Sequence, residues 1–173
     1  MHSVKIDRSL KVGIGILLIA FVFVLYGSIH ERIIGVGDSA PDFTVTADNG
    51  LTVSPAQFGG KLLVLNFWAT WCQPCVEELP SLNQFAQQMA GSGVVVLGVS
   101  VDKDPKAYSD FLAASKVSFL TTRDPGAKIS SDYGTFKYPE SYIIDSHGKV
   151  VQKIIGQENW TDSRMLEYVK SLL

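Results

Sequence analysis

Leu62-Leu63-Val64-Leu65-Asn66-Phe67-Trp68 is an almost continuous apolar run, and the chain's two cysteines, Cys72 and Cys75, stand just beyond it. A strand apolar on both faces needs cover on both, the pattern of a central strand in a sheet packed between helices. Past the cysteines, Val76, Leu79, Leu82, Phe85, Ala86 and Met89 recur at helical spacing, which predicts a helix from about Pro74 to Ala90. Pro80 falls inside it and is expected to kink it. Gly91-Ser92-Gly93 ends the helix, and Val94 to Val101 reads as a second buried strand. Parallel to the first, it completes a β-α-β unit whose crossover is expected to be right-handed.

A second apolar block, Leu10 to Ile29, carries Lys11 as its sole charge. At ~1.5 Å per residue it reaches ~30 Å, the thickness of a bilayer core. Lys5, Arg8 and Lys11 lie on its N-terminal side and Arg32, beside Glu31, follows it, so the positive-inside tendency keeps the N-terminus in the cytoplasm. The expected organisation is a cytoplasmic segment 1–9, a single transmembrane anchor 10–29 in the lipid bilayer, a linker 30–36 and one domain 37–173. A cleaved signal peptide is the alternative, although no clean small-residue cleavage site follows the block. Either reading exports the domain. The net charge of −2 gives no basic excess, so nucleic acid is not an expected partner.

The rest of the chain alternates in kind. Phe43 to Thr46 and Leu51 to Val53 flank Asp48-Asn49-Gly50 as a β-hairpin. Ser54-Pro55 opens one short helical turn through Phe58. Asp102-Lys103-Asp104-Pro105 starts a helix to about Ser115, with Tyr108, Phe111 and Leu112 facing inward; Val117 to Leu120 is ambiguous. Asp124-Pro125 opens a brief helix ending near Tyr133-Gly134. Ser141 to Ile144 and Val150 to Ile155 flank a Gly-containing loop as a second hairpin, and Asn159 or Thr161 caps a closing helix striped by Met165, Leu166, Val169 and Leu172. The fold class is α/β, a mixed sheet between helices with an N-terminal hairpin extension.

Two cysteines in Cys-x-x-Cys spacing cannot make a disulfide framework and favour redox work. A thiol at a helix start sits near unsatisfied N–H groups and the positive end of the helix dipole, where its pKa falls from ~8.5 into roughly the 3.5 to 7.5 range. Its thiolate attacks a partner's disulfide, and the second thiol resolves the mixed disulfide. A zinc site would need more ligands, and His2, His30 and His147 lie at the apolar block or in a turn. No metal or other cofactor is expected beyond the Cys72–Cys75 pair itself.

The order strand, Trp-Cys-x-x-Cys, kinked helix, strand, helix, proline-led hairpin, helix resembles the thioredoxin-like fold. Gly37 to Phe43, Asn66 to Pro80 and Tyr138 to Asp145 resemble, more narrowly, the membrane-anchored TlpA/ResA-like group of thiol-disulfide oxidoreductases. The resemblance implies Cys72 as nucleophile, Cys75 as resolving thiol and Glu78 as an active-site acid that handles the proton of Cys75. Pro139 would follow a cis bond from Tyr138 and face the cysteines, with the backbone before it pairing with an extended substrate. Glu140 resembles the Pro-Glu of the cytochrome c maturation branch and either reads the substrate or faces solvent. Trp71 joins these candidate substrate contacts, while packing over the disulfide is the other reading of Trp68 and Trp71. Asn66 departs from the buried Asp of thioredoxin, and Lys137 from a Gly common before the proline.

The resemblance further implies a single-pass protein of the bacterial inner membrane, with its domain on the periplasmic side. There it would reduce disulfides of exported proteins such as apocytochrome c, with electrons from a membrane thiol carrier of the CcdA/DsbD type. Two rivals stay open. A peroxiredoxin-like peroxidase shares Ala40-Pro41-Asp42-Phe43, but Ala69 stands where peroxidatic cysteines have Thr or Ser three residues before them. The other is a thiol-dependent binding module or chaperone without turnover.

Overall fold

A computed structural model describes residues 8–29 and 33–173. The expected cytoplasmic segment before residue 8 and the linker start at His30-Glu31-Arg32 lie outside the described residues. The chain divides into two compact units, Met1–Arg32 and Ile33–Leu173. In the first, α1 runs over Arg8–Ile29. The sequence places a membrane-crossing helix here; among the described residues no helix is long and apolar enough to cross a membrane.

The second unit holds β1 (Val45–Thr46), β2 (Thr52–Val53), β3 (Leu62–Trp68), α2 (Gln73–Gln88), β4 (Val94–Ser100), α3 (Pro105–Ser115), β5 (Leu120–Arg123), α4 (Lys128–Asp132), β6 (Glu140–Asp145), β7 (Val150–Ile155) and α5 (Ser163–Ser171). Its five-stranded sheet has the order β5-β4-β3-β6-β7. The apolar β3 takes the centre, parallel to β4 and antiparallel to β6. Alternation along β3 then builds two cores. Leu62 and Val64 pack with Leu82 and Phe85 of α2, with Met89 at its C-terminal end, with Trp160 and with Val169 of α5. Leu63, Leu65 and Phe67 pack with Phe43, Val53, Tyr133 and Tyr142 on the other face. A third cluster joins Trp68, Cys72 and Cys75 to Tyr108, Phe111 and Leu112 of α3.

The hairpin extension forms a separate two-stranded sheet, with Val45 opposite Val53 and Thr46 opposite Thr52. The helical turn expected after it is absent. Ser54 and Gln57 exchange backbone hydrogen bonds at 3.1 Å, and Ser54 Oγ accepts the Gln57 N–H at 3.0 Å, so Ser-Pro opens a tight turn instead. The ambiguous stretch ends in β5, the parallel neighbour of β4. The short α4 starts later than Asp124-Pro125, because the Asp124 carboxylate first holds the Ile129 N–H at 2.7 Å. Asp162, not Asn159 or Thr161, caps α5 through the Arg164 N–H at 2.9 Å. Asn159 spends its side chain on Thr161.

Candidate active site

The turn leaving β3 delivers Cys72 as the N-cap of α2. Its backbone is extended, and its Sγ accepts the Cys75 N–H at 3.3 Å. The two cysteines are joined in a disulfide with Cα atoms 5.3 Å apart. Both residues are buried in the disulfide form, Cys72 at 7% exposed and Cys75 at 4%. On reduction, the Cys72 sulfur meets the unsatisfied N–H groups and positive dipole end that favour a thiolate.

The two tryptophans of the motif part company. Trp71 is 67% exposed, with its ring edge-on to Tyr138 at 6.2 Å. Trp68 is buried against Tyr108 and Phe111. Its indole edge lies across β4 where Gly98 has no side chain; a Cβ there would come within 3.0 Å of Nε1. Trp68 is thus packing, and Trp71 remains at the surface beside Cys72.

Antiparallel pairing of β3 with β6 brings in the proline. Phe67 lies opposite Glu140, so Tyr138 and Pro139 arrive at the end of β3 from which the cysteine turn departs. The Tyr138–Pro139 bond is cis. Tyr138 packs against the cluster containing both cysteines, and its hydroxyl is 3.1 Å from Ser130 Oγ. Phe136 and Lys137, just before, are exposed. Asn66 is buried and donates to Ser141 Oγ at 2.8 Å, so it ties β3 to β6 without a titratable group.

Glu78, on α2 one residue beyond Glu77, turns inward and is 2% exposed. The Trp160 indole N–H donates to Oε1, whereas Oε2 is buried without a hydrogen bond among the described residues. Burial pushes the carboxyl up from 4.5 to about 7; the Trp160 hydrogen bond opposes this and the nearby Glu158 charge adds to it. Trp160 is the residue that sequence reasoning missed. It precedes α5, packs on Phe85 at 5.2 Å, and carries no periodic signal.

Glu140 corrects an expectation. It neither faces solvent nor presents its carboxylate at the surface, being 0% exposed. Oε1 is 2.8 Å from Lys153 Nζ and accepts the Tyr142 hydroxyl at 2.6 Å. The strand it opens is buried on both faces, which leaves an acid there only an inward place. No group of three or more His, Cys, Asp or Glu side chains suited to a metal occurs among the described residues. His147 stands exposed in the β6–β7 turn, and His2 and His30 lie outside the described residues.

A mixed five-stranded sheet between helices, with a Cys-x-x-Cys disulfide at a helix start beside a cis-proline, defines a thioredoxin-like thiol-disulfide oxidoreductase. The chain belongs to the redoxin family, whose model matches residues 35–170. Thiol-disulfide oxidoreductase ResA of Bacillus cereus is 35% identical over 142 residues, 82% of this chain and 81% of that protein. Its counterpart in Bacillus subtilis is 29% identical over 170 residues, 95% and 94% of the two chains. Among solved structures, a protein assigned as the thiol:disulfide interchange protein DsbE of Chlorobium tepidum superposes with a TM-score of 0.72 at 28% identity, covering 82% of this chain and 99% of that one. The TlpA/ResA-like kinship read from the sequence holds, and with it the protein-disulfide reductase class.

Proposed function

We propose that this chain reduces disulfides of exported proteins, with Cys72 as nucleophile and Cys75 as resolving thiol. The carrying observation is the Cys72–Cys75 disulfide at the start of α2, beside cis-Pro139 and backed by buried Glu78. In the reduced enzyme the Cys72 thiolate attacks one sulfur of the substrate disulfide; that bond breaks and the departing sulfur takes a proton. Cys75 then gives its proton to Glu78 and attacks the Cys72 sulfur, and the second substrate sulfur leaves as a thiolate that takes that proton from Glu78. The substrate gains two electrons and two protons, and the enzyme is left in the disulfide form. A Glu78 carboxyl at about 7 is placed for this transfer at neutral pH.

Tyr138, Pro139 and Trp71 form the substrate contact in this reading, with the backbone before Pro139 pairing to an extended segment. Glu140 contributes from behind, by fixing the strand that follows the proline. The domain works on the periplasmic side of the bacterial inner membrane, tethered by residues 10–29. Support for the tether comes from the apolar run, the cationic residues before it and the helix Arg8–Ile29. Apocytochrome c is the substrate proposed, and a CcdA/DsbD-type carrier the donor. The cysteine pair is the sole redox group.

Catalysed reduction of insulin disulfides by the full chain tests the reading; no turnover leaves a binding module, and rapid peroxide consumption revives the peroxidase. A Cys75→Ser variant in the native cell is expected to accumulate mixed disulfides through Cys72. Their protein partners name the substrate, and absence of haem-binding apoproteins among them removes the cytochrome assignment.

A further inference from the structure

We propose that Asp102 is a positioning residue for the redox pair, its buried carboxylate fixing Thr70 and, through it, the turn that carries Trp71 and Cys72 to the start of α2. The inference rests on the reading of Cys72 as the attacking thiol. Asp102 lies just past β4 and is 3% exposed. Its Oδ2 accepts the Thr70 N–H at 2.9 Å and the Ser100 hydroxyl at 2.6 Å, and its Oδ1 accepts the Thr70 hydroxyl at 2.7 Å. Ser100 is itself fully buried, and its Oγ takes the Asp102 N–H at 3.0 Å.

The sheet sets the two ends of this latch opposite each other. Trp68 pairs with Ser100 in the β3–β4 register, and the Val101 N–H donates to the Trp68 carbonyl at 3.0 Å. Thr70 and Asp102 each lie two residues beyond that pair. Arg123, on the adjacent β5, directs its guanidinium to the backbone carbonyls of Lys103 at 3.0 Å and Asp102 at 3.4 Å. The carboxylate is therefore held by hydroxyl and amide donors, two of them from Thr70.

Ala69 and Cys72, the ends of the turn, are buried in the cluster around Trp68, and apart from the latch little holds the Thr70-Trp71 stretch between them. Ala69-Thr70-Trp71-Cys72 has one internal bond, from the Cys72 N–H to the Ala69 carbonyl at 3.2 Å. Trp71 is mostly exposed and adds a single edge contact with Tyr138. The closeness of the Cys72 sulfur to the helix N–H groups depends on where this turn ends. A sulfur that drifts from the helix start loses thiolate stabilisation, which favours the disulfide over the dithiol.

Electrostatics alone predicts the opposite sign. The Asp102 carboxylate sits on the turn that carries the pair, and deleting an anion there favours a thiolate. The two roles are thus separable by direction. A loss of structure that weakens both redox forms alike moves neither the equilibrium nor the relative reactivity.

The test uses the full chain and the variants Asp102→Ala, Asp102→Asn and Thr70→Val. Two readouts need no protein substrate: the dithiol–disulfide equilibrium against glutathione, and the rate of Cys72 alkylation by iodoacetamide in the reduced chain. Asp102→Ala is expected to shift the equilibrium about tenfold toward the disulfide, about 30 mV for this two-electron couple, and to slow alkylation by a similar factor. Thr70→Val, which changes no charge, shifts both the same way by about threefold. Asp102→Asn, which keeps an acceptor for Thr70, falls between wild type and Asp102→Ala.

A shift toward the dithiol in Asp102→Ala, or no change in Thr70→Val, overturns the proposal. If Asp102→Ala does not fold, Thr70→Val decides. A wild-type chain that shows these thiol properties yet reduces no protein disulfide loses the reductase reading and leaves the latch standing.

Discussion

Of the glutamates described, Glu78 and Glu140 are buried, one on α2 and the other at the start of β6. Glu140 has Lys153 at 2.8 Å, and that ammonium also donates to the Ile34 carbonyl at 2.9 Å and lies 5.1 Å over the Tyr142 ring. Glu78 has an indole N–H and an unpartnered second oxygen. One acid is compensated by a cation and serves as a fixed joint between β6 and β7. The other is short of compensation, so its preferred state is protonated up to about neutral pH. At Glu78 burial raises the carboxyl because few donors surround it.

The largest test of this contrast removes the cation. Lys153→Met strands the Glu140 charge in the interior and is expected to cost about 3–5 kcal/mol in a urea unfolding series. Adding Glu140→Gln should return most of it, since a neutral pair needs no counter-charge. A single-variant loss under about 1 kcal/mol would mean that Lys153 does not carry the charge of Glu140.

Next in size is the pH dependence set by Glu78. Its folded-state value lies above the unfolded one, so the folded chain binds the extra proton. The stability this gives is fully present below about 4.5 and is lost as pH rises through about 7. The span from 4.5 to about 7 amounts to about 3 kcal/mol at about 1.4 kcal/mol per pH unit. Glu78→Gln should flatten the stability curve of the oxidised chain across that window by this amount, and curves that stay parallel would remove Glu78 as the titrating group. The smallest effect belongs to Trp160→Phe, which keeps a ring against Phe85 but deletes the donor. Its deficit should be about 1–2 kcal/mol larger at pH 8, where Glu78 is charged, than at pH 4; equal deficits would assign Trp160 to packing alone.

What was legible in the sequence was local. The β3-α2-β4 unit follows from two continuous apolar runs around a stretch of period 3.6, the β6–β7 hairpin from two runs around a Gly-containing loop, and Cys72, Cys75, Glu78 and Pro139 from their spacing and the family resemblance. Partners were not legible. Trp160 lies 82 positions from Glu78, and nothing in Glu158-Asn159-Trp160 marks it as a donor aimed at an acid on another element. Glu140 could not be read as buried until β6 was known to be covered on both faces. Lys153, directly across from Tyr142, then falls on the same face as Glu140. Asp102-Lys103-Asp104-Pro105 reads as one helix start, yet only Asp104 caps α3 while Asp102 serves the turn before α2. Ser54-Pro55 suits a helix N-terminus and a tight turn equally well, and the exchange of hydrogen bonds with Gln57 decided between them.

The pairing of β3 with β6 also has a temporal side. Asn66 meets Ser141 across 75 positions, so on a chain made from its N-terminus both cysteines exist well before Pro139, Lys153 or Trp160. Until those residues have been synthesised and β6 has docked, Cys72 and Cys75 are two thiols beside an uncovered strand, with no proline opposite them and no partner for Glu78. A nascent or truncated chain ending before β6 therefore carries the motif without the site, and its thiols are open to whatever oxidant reaches them first.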